Sequence, residues 1–144
     1  MMYCPFCNNN DTKVLESRVI DDSLRRRRSC QSCDQRFTTY ERAEFNLKVQ
    51  KKDGRIQDFD LEKIKRSIKP AYGKVDEQIV KSLAMRVHKK ILNKKVNPIK
   101  TIHIGGFILQ ELKKEDKMAY LRYAMVYKEI EDPRKLEKEI QAMR

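Results

Sequence analysis

The sequence predicts an α+β protein in two unequal parts: a small, metal-stapled β module at the N-terminus, then a β-hairpin followed by a four-helix bundle. Three observations predict it. All four cysteines fall in the first 33 positions, as Cys4-Pro5-Phe6-Cys7 and Cys30-Gln31-Ser32-Cys33, and no sustained helical period occurs before Phe45. From Asn46 to Lys51 polar and apolar residues alternate, and Asp53-Gly54 supplies a hairpin turn. Beyond Asp60, apolar residues recur every three or four positions behind aspartates placed to cap helices. A chain of 144 residues has room for a module of about 45 residues and a compact domain of about 90.

The two C-x-x-C pairs are separated by 22 residues, which lets two turns converge on one tetrahedral ion. Zinc is the expected metal. Cys4, Cys7, Cys30 and Cys33 would fill its coordination shell, so the site is structural and leaves no open position for catalysis. The result is a zinc ribbon over residues 1–45. Two disulfides, a redox C-x-x-C or an iron–sulfur cluster are the other uses of such cysteines; the doubled spacing and the lack of export features weigh against them.

In the second part the hairpin returns through Ile56 and Phe59. Asp60 caps a short helix carrying Ile64 and Ile68, ended by Pro70 and Gly73. Asp76 caps a longer one with Ile79, Val80, Leu83, Val87 and Ile91 as a buried stripe, closed by Lys94, Lys95 and Asn97-Pro98. A third helix runs from about Lys100 to Lys114 with Ile104, Ile108, Leu109 and Leu112 inward, and a fourth, capped by Asp116, carries Met118, Leu121, Met125 and Val126. After Asp132-Pro133 the charged tail to Arg144 reads as a solvated helix or as frayed chain. His88 and His103 have no partners at metal spacing and read as surface or boundary residues, while Tyr120, Tyr123 and Tyr127 recur at helical spacing as core or subunit contacts.

Thirty-three Lys and Arg against 21 Asp and Glu give a formal net charge of +12, nearer +10 once four thiolates and Zn²⁺ contribute −2. Such a field favours a polyanionic partner. The longest apolar stretch, Ile102 to Leu109, is eight residues with a Gly pair, against the roughly 20 a membrane helix needs. No signal-peptide pattern precedes Cys4, so the expectation is a cytoplasmic protein with no membrane partner, and nucleic acid as the polyanion. Arg25-Arg26-Arg27-Arg28 stands directly before the second cysteine pair, tethered to the metal site, and guanidinium groups bind phosphate bidentately and read guanine edges. Lys13, Arg18, Arg36 and Arg42 add to the same module. A solvated charge run is the plain alternative. If these residues form a hairpin, Arg25 and Arg27 face opposite to Arg26 and Arg28, and one pair touches DNA. Thr38, Thr39 and Tyr40 either add hydroxyl contacts to phosphates or are strand surface. No acid–base pair, activated nucleophile or open metal site is apparent, so no catalysis is expected.

The strings Ser17-Arg18, Arg25 to Cys30, Cys33 and Arg36-Phe37-Thr38-Thr39-Tyr40-Glu41-Arg42 resemble the NrdR family, bacterial repressors of ribonucleotide reductase genes. Val49-x-Lys51-Lys52-Asp53-Gly54, Phe59-Asp60-x-x-Lys63-Ile64 and Ala119-Tyr120-x-Arg122-Tyr123-Ala124-x-Val126-Tyr127 resemble the ATP-cone, the nucleotide-binding domain that reductases carry as an activity switch. The resemblance covers residues 1 to about 132. It implies a ribbon over 1–45 that binds DNA, an ATP-cone over 46–132 that binds ATP or dATP as effector, and a charged tail over 133–144. It further implies binding to paired palindromic operator boxes in double-stranded DNA, a homo-oligomer whose state follows the nucleotide, and a place at the bacterial nucleoid when bound. Carried over by motif, Val49, Lys51, Lys52, Gln57, Asp60 and Lys63 line the nucleotide site, with Thr101 and Tyr127 at sugar or base. Position 57 is often Glu in that family and is Gln here. By chemistry alone, Lys51, Lys52, Lys63 and the N-terminal end of the first helix suit a triphosphate, or are solvated surface, since no Walker-type glycine loop is present. Two other functions compete: an allosteric module acting directly on a reductase protein, and a zinc ribbon of the transcription or translation machinery that binds RNA or polymerase.

Overall fold

The computed structural model describes residues 2–144. The chain divides into two compact units, one ending at Phe45 and one running from Asn46 to Arg144.

The first unit is a three-stranded antiparallel sheet in the order β1 (Thr12–Ile20), β2 (Ser23–Cys30), β3 (Arg36–Arg42). The β1–β2 turn is Asp21-Asp22, with Asp21 at φ 54°, a left-handed conformation that Asp tolerates better than branched residues do. The register passes from Val14↔Arg28 to Glu16↔Arg27, so Leu15 is a bulge that adds twist beside the metal end of the sheet. Its apolar side chains are few. Tyr3, Phe6, Val19 and Phe45 are all exposed, so the cysteines must supply what a core does not.

The second unit has β4 (Lys48–Gln50), β5 (Ile56–Asp58) and β6 (Ile99–Lys100), then α1 (Leu61–Tyr72), α2 (Glu77–Asn93), α3 (Thr101–Glu115), α4 (Lys117–Tyr127) and α5 (Pro133–Ala142). The expected hairpin is present, but it belongs to a three-stranded sheet, β5-β4-β6, whose third strand runs parallel to β4. Two residues are too few to leave a periodic signal. Asn97 ties the piece in: its side-chain oxygen accepts from the Lys48 amide at 2.8 Å and its amide donates to the Asn46 carbonyl at 3.1 Å.

Asp60, Asp76, Asp116 and Asp132 each accept a backbone N–H of the first helical turn, as N-caps do. The helix α1 continues through Pro70 to Tyr72 instead of stopping at the proline, and Gly73 at φ 76° ends it. Arg122 donates to the carbonyl of Ala71 at 3.0 Å, supplying a partner that the last turn lacks. The core is built from Ile68 of α1, Leu83, Val87 and Ile91 of α2, Ile99 of β6, and Ile108 and Leu112 of α3, all essentially inaccessible.

Two expected stripes are corrected. Ile79, on the first turn of α2, is exposed, and the stripe begins at Val80 and includes Ala84. On α4 the buried residues are Ala119, Tyr120 and Ala124, whereas Met118, Met125 and Val126 face solvent, Val126 at 81%. That helix is apolar nearly all round, so two stripes have helical spacing; the one with small side chains lets α4 approach α3 closely and wins. The tail is a helix whose Glu139 carboxylate accepts from Lys128 at 2.8 Å and from the Tyr120 hydroxyl, and whose Met143 packs against the core. His88 is a boundary residue stacked on Phe59, with ring centroids 4.8 Å apart.

Candidate metal centre, nucleic-acid face and nucleotide cleft

Two backbone turns of one design carry the cysteines. In the first, the Cys4 amide donates to Asn9 O at 2.8 Å, the Asn8 amide returns to Cys4 O at 2.8 Å, and the Phe6 amide points at Cys4 Sγ at 3.4 Å. The second repeats this with Cys30 to Gln35 O at 2.9 Å, Asp34 to Cys30 O at 3.1 Å and the Ser32 amide to Cys30 Sγ at 3.3 Å. Asn8 and Asp34 hold the left-handed conformation at φ 61° and 59°, a place where Asn and Asp are the favoured non-glycine residues. The four Sγ atoms lie within 4.8 Å of one another, with Cys4–Cys33 and Cys7–Cys30 each at 3.6 Å. A tetrahedral ion with Zn–S bonds of about 2.3 Å requires S–S edges of about 3.8 Å, so the donor set fits zinc. The amide of Cys33, opposed by burial and joined by the amide of Ser32, brings the Cys30 thiol down to about 7, toward the thiolate form that binds metal.

The strand register sorts the basic residues. Residues directly opposite on neighbouring strands share a face. The pairs Arg18↔Arg25↔Tyr40, Glu16↔Arg27↔Thr38, Lys13↔Ser29↔Arg36 and Ser23↔Arg42 therefore stack on one side of the sheet. Lys13, Arg18, Arg25, Arg27, Arg36 and Arg42 are on this face; Glu16, on the same face, bridges Arg18 at 3.7 Å and Arg25 at 3.8 Å, and Asp22 of the turn meets Arg42 at 3.9 Å. Arg26 and Arg28 are on the other face, where Arg26 meets Glu41 at 3.5 Å and Arg28 Nε donates to the Thr39 hydroxyl at 3.0 Å. Like charges placed opposite one another, as Arg18 and Arg25 are, cost stability, and Glu16 between them offsets part of that cost. Tyr40 stands among them, 66% exposed, its hydroxyl free to reach an anion's oxygen.

In the second unit, Val49, Lys51, Gln57, Asp60, Lys63, Thr101 and Tyr127 all line one cleft of about 230 Å³ between the β-hairpin, α1, α3 and α4. Lys52 lies beside it, in a recess of about 410 Å³ that it shares with Lys51, Lys100 and Thr101. Lys63 Nζ donates to Gln57 Oε1 at 3.5 Å. The Asp60 carboxylate caps α1 through the Glu62 amide at 2.9 Å, so one amide of its first turn is engaged and a carboxylate stands at its end. The start of α3 also reaches the cleft, with Lys100 as an N-cap that makes no side-chain cap and no acid in its first turn. Lysine cations and free amides thus meet around Thr101. The cleft walls are apolar and aromatic: Ile64, Ile104, Ile108, Tyr123 and Tyr127. Burial pushes the Tyr123 phenol up, and it shares a 3.1 Å hydrogen bond with the Ser67 hydroxyl. Ser67 and Lys100 were not singled out for the site, and Ile104 read only as core, since residues facing a cleft look like core or surface in the chain.

Comparison with known proteins agrees with this geometry. Residues 2–41 match the family model described as transcriptional repressor NrdR-like, N-terminal domain, and residues 47–133 match the ATP cone domain. A transcriptional repressor NrdR of Acidovorax sp. (strain JS42) is 47% identical over 136 residues, covering 91% of each chain. The chain belongs to the NrdR family. Others of that name, from Janthinobacterium sp. (strain Marseille) and Leptothrix cholodnii, are 44% and 43% identical over 91% of this chain and 88% and 92% of their own. In an NrdR-family chain the four-thiolate centre is a structural zinc site, since every coordination position is taken by protein. The cone is the unit that suits a nucleotide effector. No helix among the described residues is long and apolar enough to cross a membrane.

Proposed function

We propose that the chain is a nucleotide-responsive transcriptional repressor of ribonucleotide reductase genes. Residues 1–45 are its DNA-binding domain, residues 46–132 its ATP- or dATP-sensing domain, and residues 133–144 a tail helix packed on the latter. The observation that carries this reading is the gathering of six cations, Lys13, Arg18, Arg25, Arg27, Arg36 and Arg42, on one face of a metal-braced sheet. A predominantly cationic face of that kind suits the phosphates of double-stranded DNA. Arg26 and Arg28 brace the sheet from behind. The triphosphate of the effector lies against Lys51, Lys52, Lys63 and the start of α3 at Thr101, and its nucleoside against Val49, Gln57 and Tyr127.

The protein catalyses no reaction and works in the bacterial cytoplasm, at the nucleoid when bound to DNA. Protomers assemble according to the nucleotide held, and assembly decides whether several ribbons reach paired operator boxes together. Gel-shift of reductase promoter DNA with no nucleotide, with ATP and with dATP tests the whole scheme. The expected result is tight binding in one nucleotide state and weak binding in another; equal affinity in all three would remove the sensing role.

A further inference from the structure

Two glycines stand side by side in the middle of α3, where glycine costs a helix stability relative to alanine. Gly106 has open space around the position a Cβ would take. Gly105 does not. A Cβ there would lie 2.2 Å from Cε2, 2.4 Å from Cζ and 2.6 Å from the hydroxyl oxygen of Tyr127, closer than side-chain carbons ever approach. We propose that Gly105 is a positioning residue of the nucleotide cleft: its missing side chain is the seat in which the Tyr127 ring lies to form a wall of that cleft. The inference rests on the cleft being the nucleotide site.

The ring cannot simply yield. Its hydroxyl donates to the carbonyl of Ile102 at 2.9 Å, in the first turn of α3, and its face stacks on Tyr123 at 6.0 Å with 22° between planes. Tyr127 thus bridges the end of α4 to the start of α3, one residue from Thr101. Since the Tyr127 phenol donates to backbone and that of Tyr123 is bonded to Ser67, this wall of the cleft presents mainly ring surface to a nucleoside. Shape and stacking, set by where the ring sits, are what the ligand reads at this wall. A methyl group at position 105 breaks the seat, moves the ring off Ile102 and closes or opens the wall.

The test uses the full chain and titration calorimetry with ATP and with dATP. Gly105→Ala should weaken both by about tenfold or more, the loss of one well-packed aromatic contact, whereas Gly106→Ala should leave them unchanged. Tyr127→Ala should be weak by itself, and Gly105→Ala with Tyr127→Ala should bind no worse than Tyr127→Ala alone, because the added methyl then has nothing to displace. That non-additivity separates seating from general damage to α3. If Gly105→Ala fails to fold and the double variant folds, the ring is again identified as what the methyl group meets. Undiminished affinity in Gly105→Ala, or a double variant weaker than Tyr127→Ala by the full factor, overturns the proposal while the nucleotide reading stands; an unmutated chain that binds neither nucleotide overturns both.

Discussion

Replacing Arg25 and Arg27 with alanine removes two of six cations from one face of the ribbon, whereas replacing Arg26 and Arg28 removes two from the other face. Total charge changes equally, so the comparison isolates geometry. Each phosphate neutralised contributes about 0.9 to the slope of log K against log salt, so six contacts give about −5.4, and the front-face pair should flatten it by about 1.8. Between 50 and 200 mM salt that difference is about twelvefold in affinity ratio. The back-face pair should leave the slope where it was. Folding does not separate the pairs: Arg25 and Arg27 give up contacts to Glu16 and Thr38, and Arg26 and Arg28 give up contacts to Glu41 and Thr39. Only the front-face variant should therefore bind DNA poorly and lose slope, while the two variants melt alike. Fluorescence anisotropy on labelled promoter duplex across a salt series measures the first quantity, and circular dichroism the second. Equal flattening by both variants would mean that the sheet face does not define the contact.

Cys4→Ser or Cys30→Ser should unfold the ribbon and abolish DNA binding while nucleotide binding persists, because only residues of the second unit line the cleft; operator affinity surviving in verified zinc-free protein would contradict this. Lys51→Ala with Lys63→Ala removes two cations from the cleft, and charge-assisted contacts worth about 1.5–3 kcal/mol each should cost nucleotide affinity at least about tenfold; calorimetry showing no change would clear these lysines of any role. Glu111, 5% exposed, has its carboxyl held low by Lys90 at 2.8 Å and Arg86 at 3.1 Å against the opposing effect of burial. A depressed carboxyl stabilises the fold above its unfolded-state value and loses that contribution as pH falls through the folded one. Glu111→Gln should thus lower stability by about 1–3 kcal/mol at neutral pH, and the gap to the unmutated protein should close on acidification below about pH 4. A gap independent of pH would assign the loss to packing.

How much of this was legible depended on whether the signal was local. Paired cysteines, Asp53-Gly54 and the capping aspartates are short patterns with one physical meaning each, and every such feature stands where the chain implied. The inward face of α4 was only partly legible: Tyr120, Tyr123 and Tyr127 read as core or subunit contacts and do meet the core, but Met118 and Met125 have helical spacing too and face solvent, and only the approach of α3 distinguishes them. β6 exists because Val49 and Ile99 pair across 50 positions, and no neighbourhood in the chain records that. For the arginine run, alternation predicted two faces; which face gathers the other cations depended on the register and on the bulge at Leu15. The capping Asp60 at the end of α1 was legible, whereas the uncapped start of α3 beside the same cleft was not, because only the fold brings Thr101 next to Lys51.

The net charge of +12 pointed to nucleic acid, but little of it resides in the ribbon proposed to bind DNA. Up to Phe45 the chain has eight Lys and Arg against seven Asp and Glu, a balance of +1, and the four thiolates with Zn²⁺ take it to −1; the remaining +11 belongs to the second unit. The ribbon is therefore no basic domain in bulk. Its cations gather on one face because most of its acids lie off the strands or behind them: Asp11 before the first strand, Asp21 and Asp22 in the hairpin turn, Asp34 in a cysteine turn, Glu41 on the back face and Glu44 beyond the last strand. Glu16 and the Asp22 paired with Arg42 are the acids that meet the six cations. The two levels of charge do different work. Long-range attraction scales with the whole field, most of which the second unit supplies, and contact slope scales with cations at the phosphates, which the ribbon face supplies. Charge reversal on the exposed helices of the second unit should then slow association at low salt, yet leave the contact slope to Arg25, Arg27 and their neighbours.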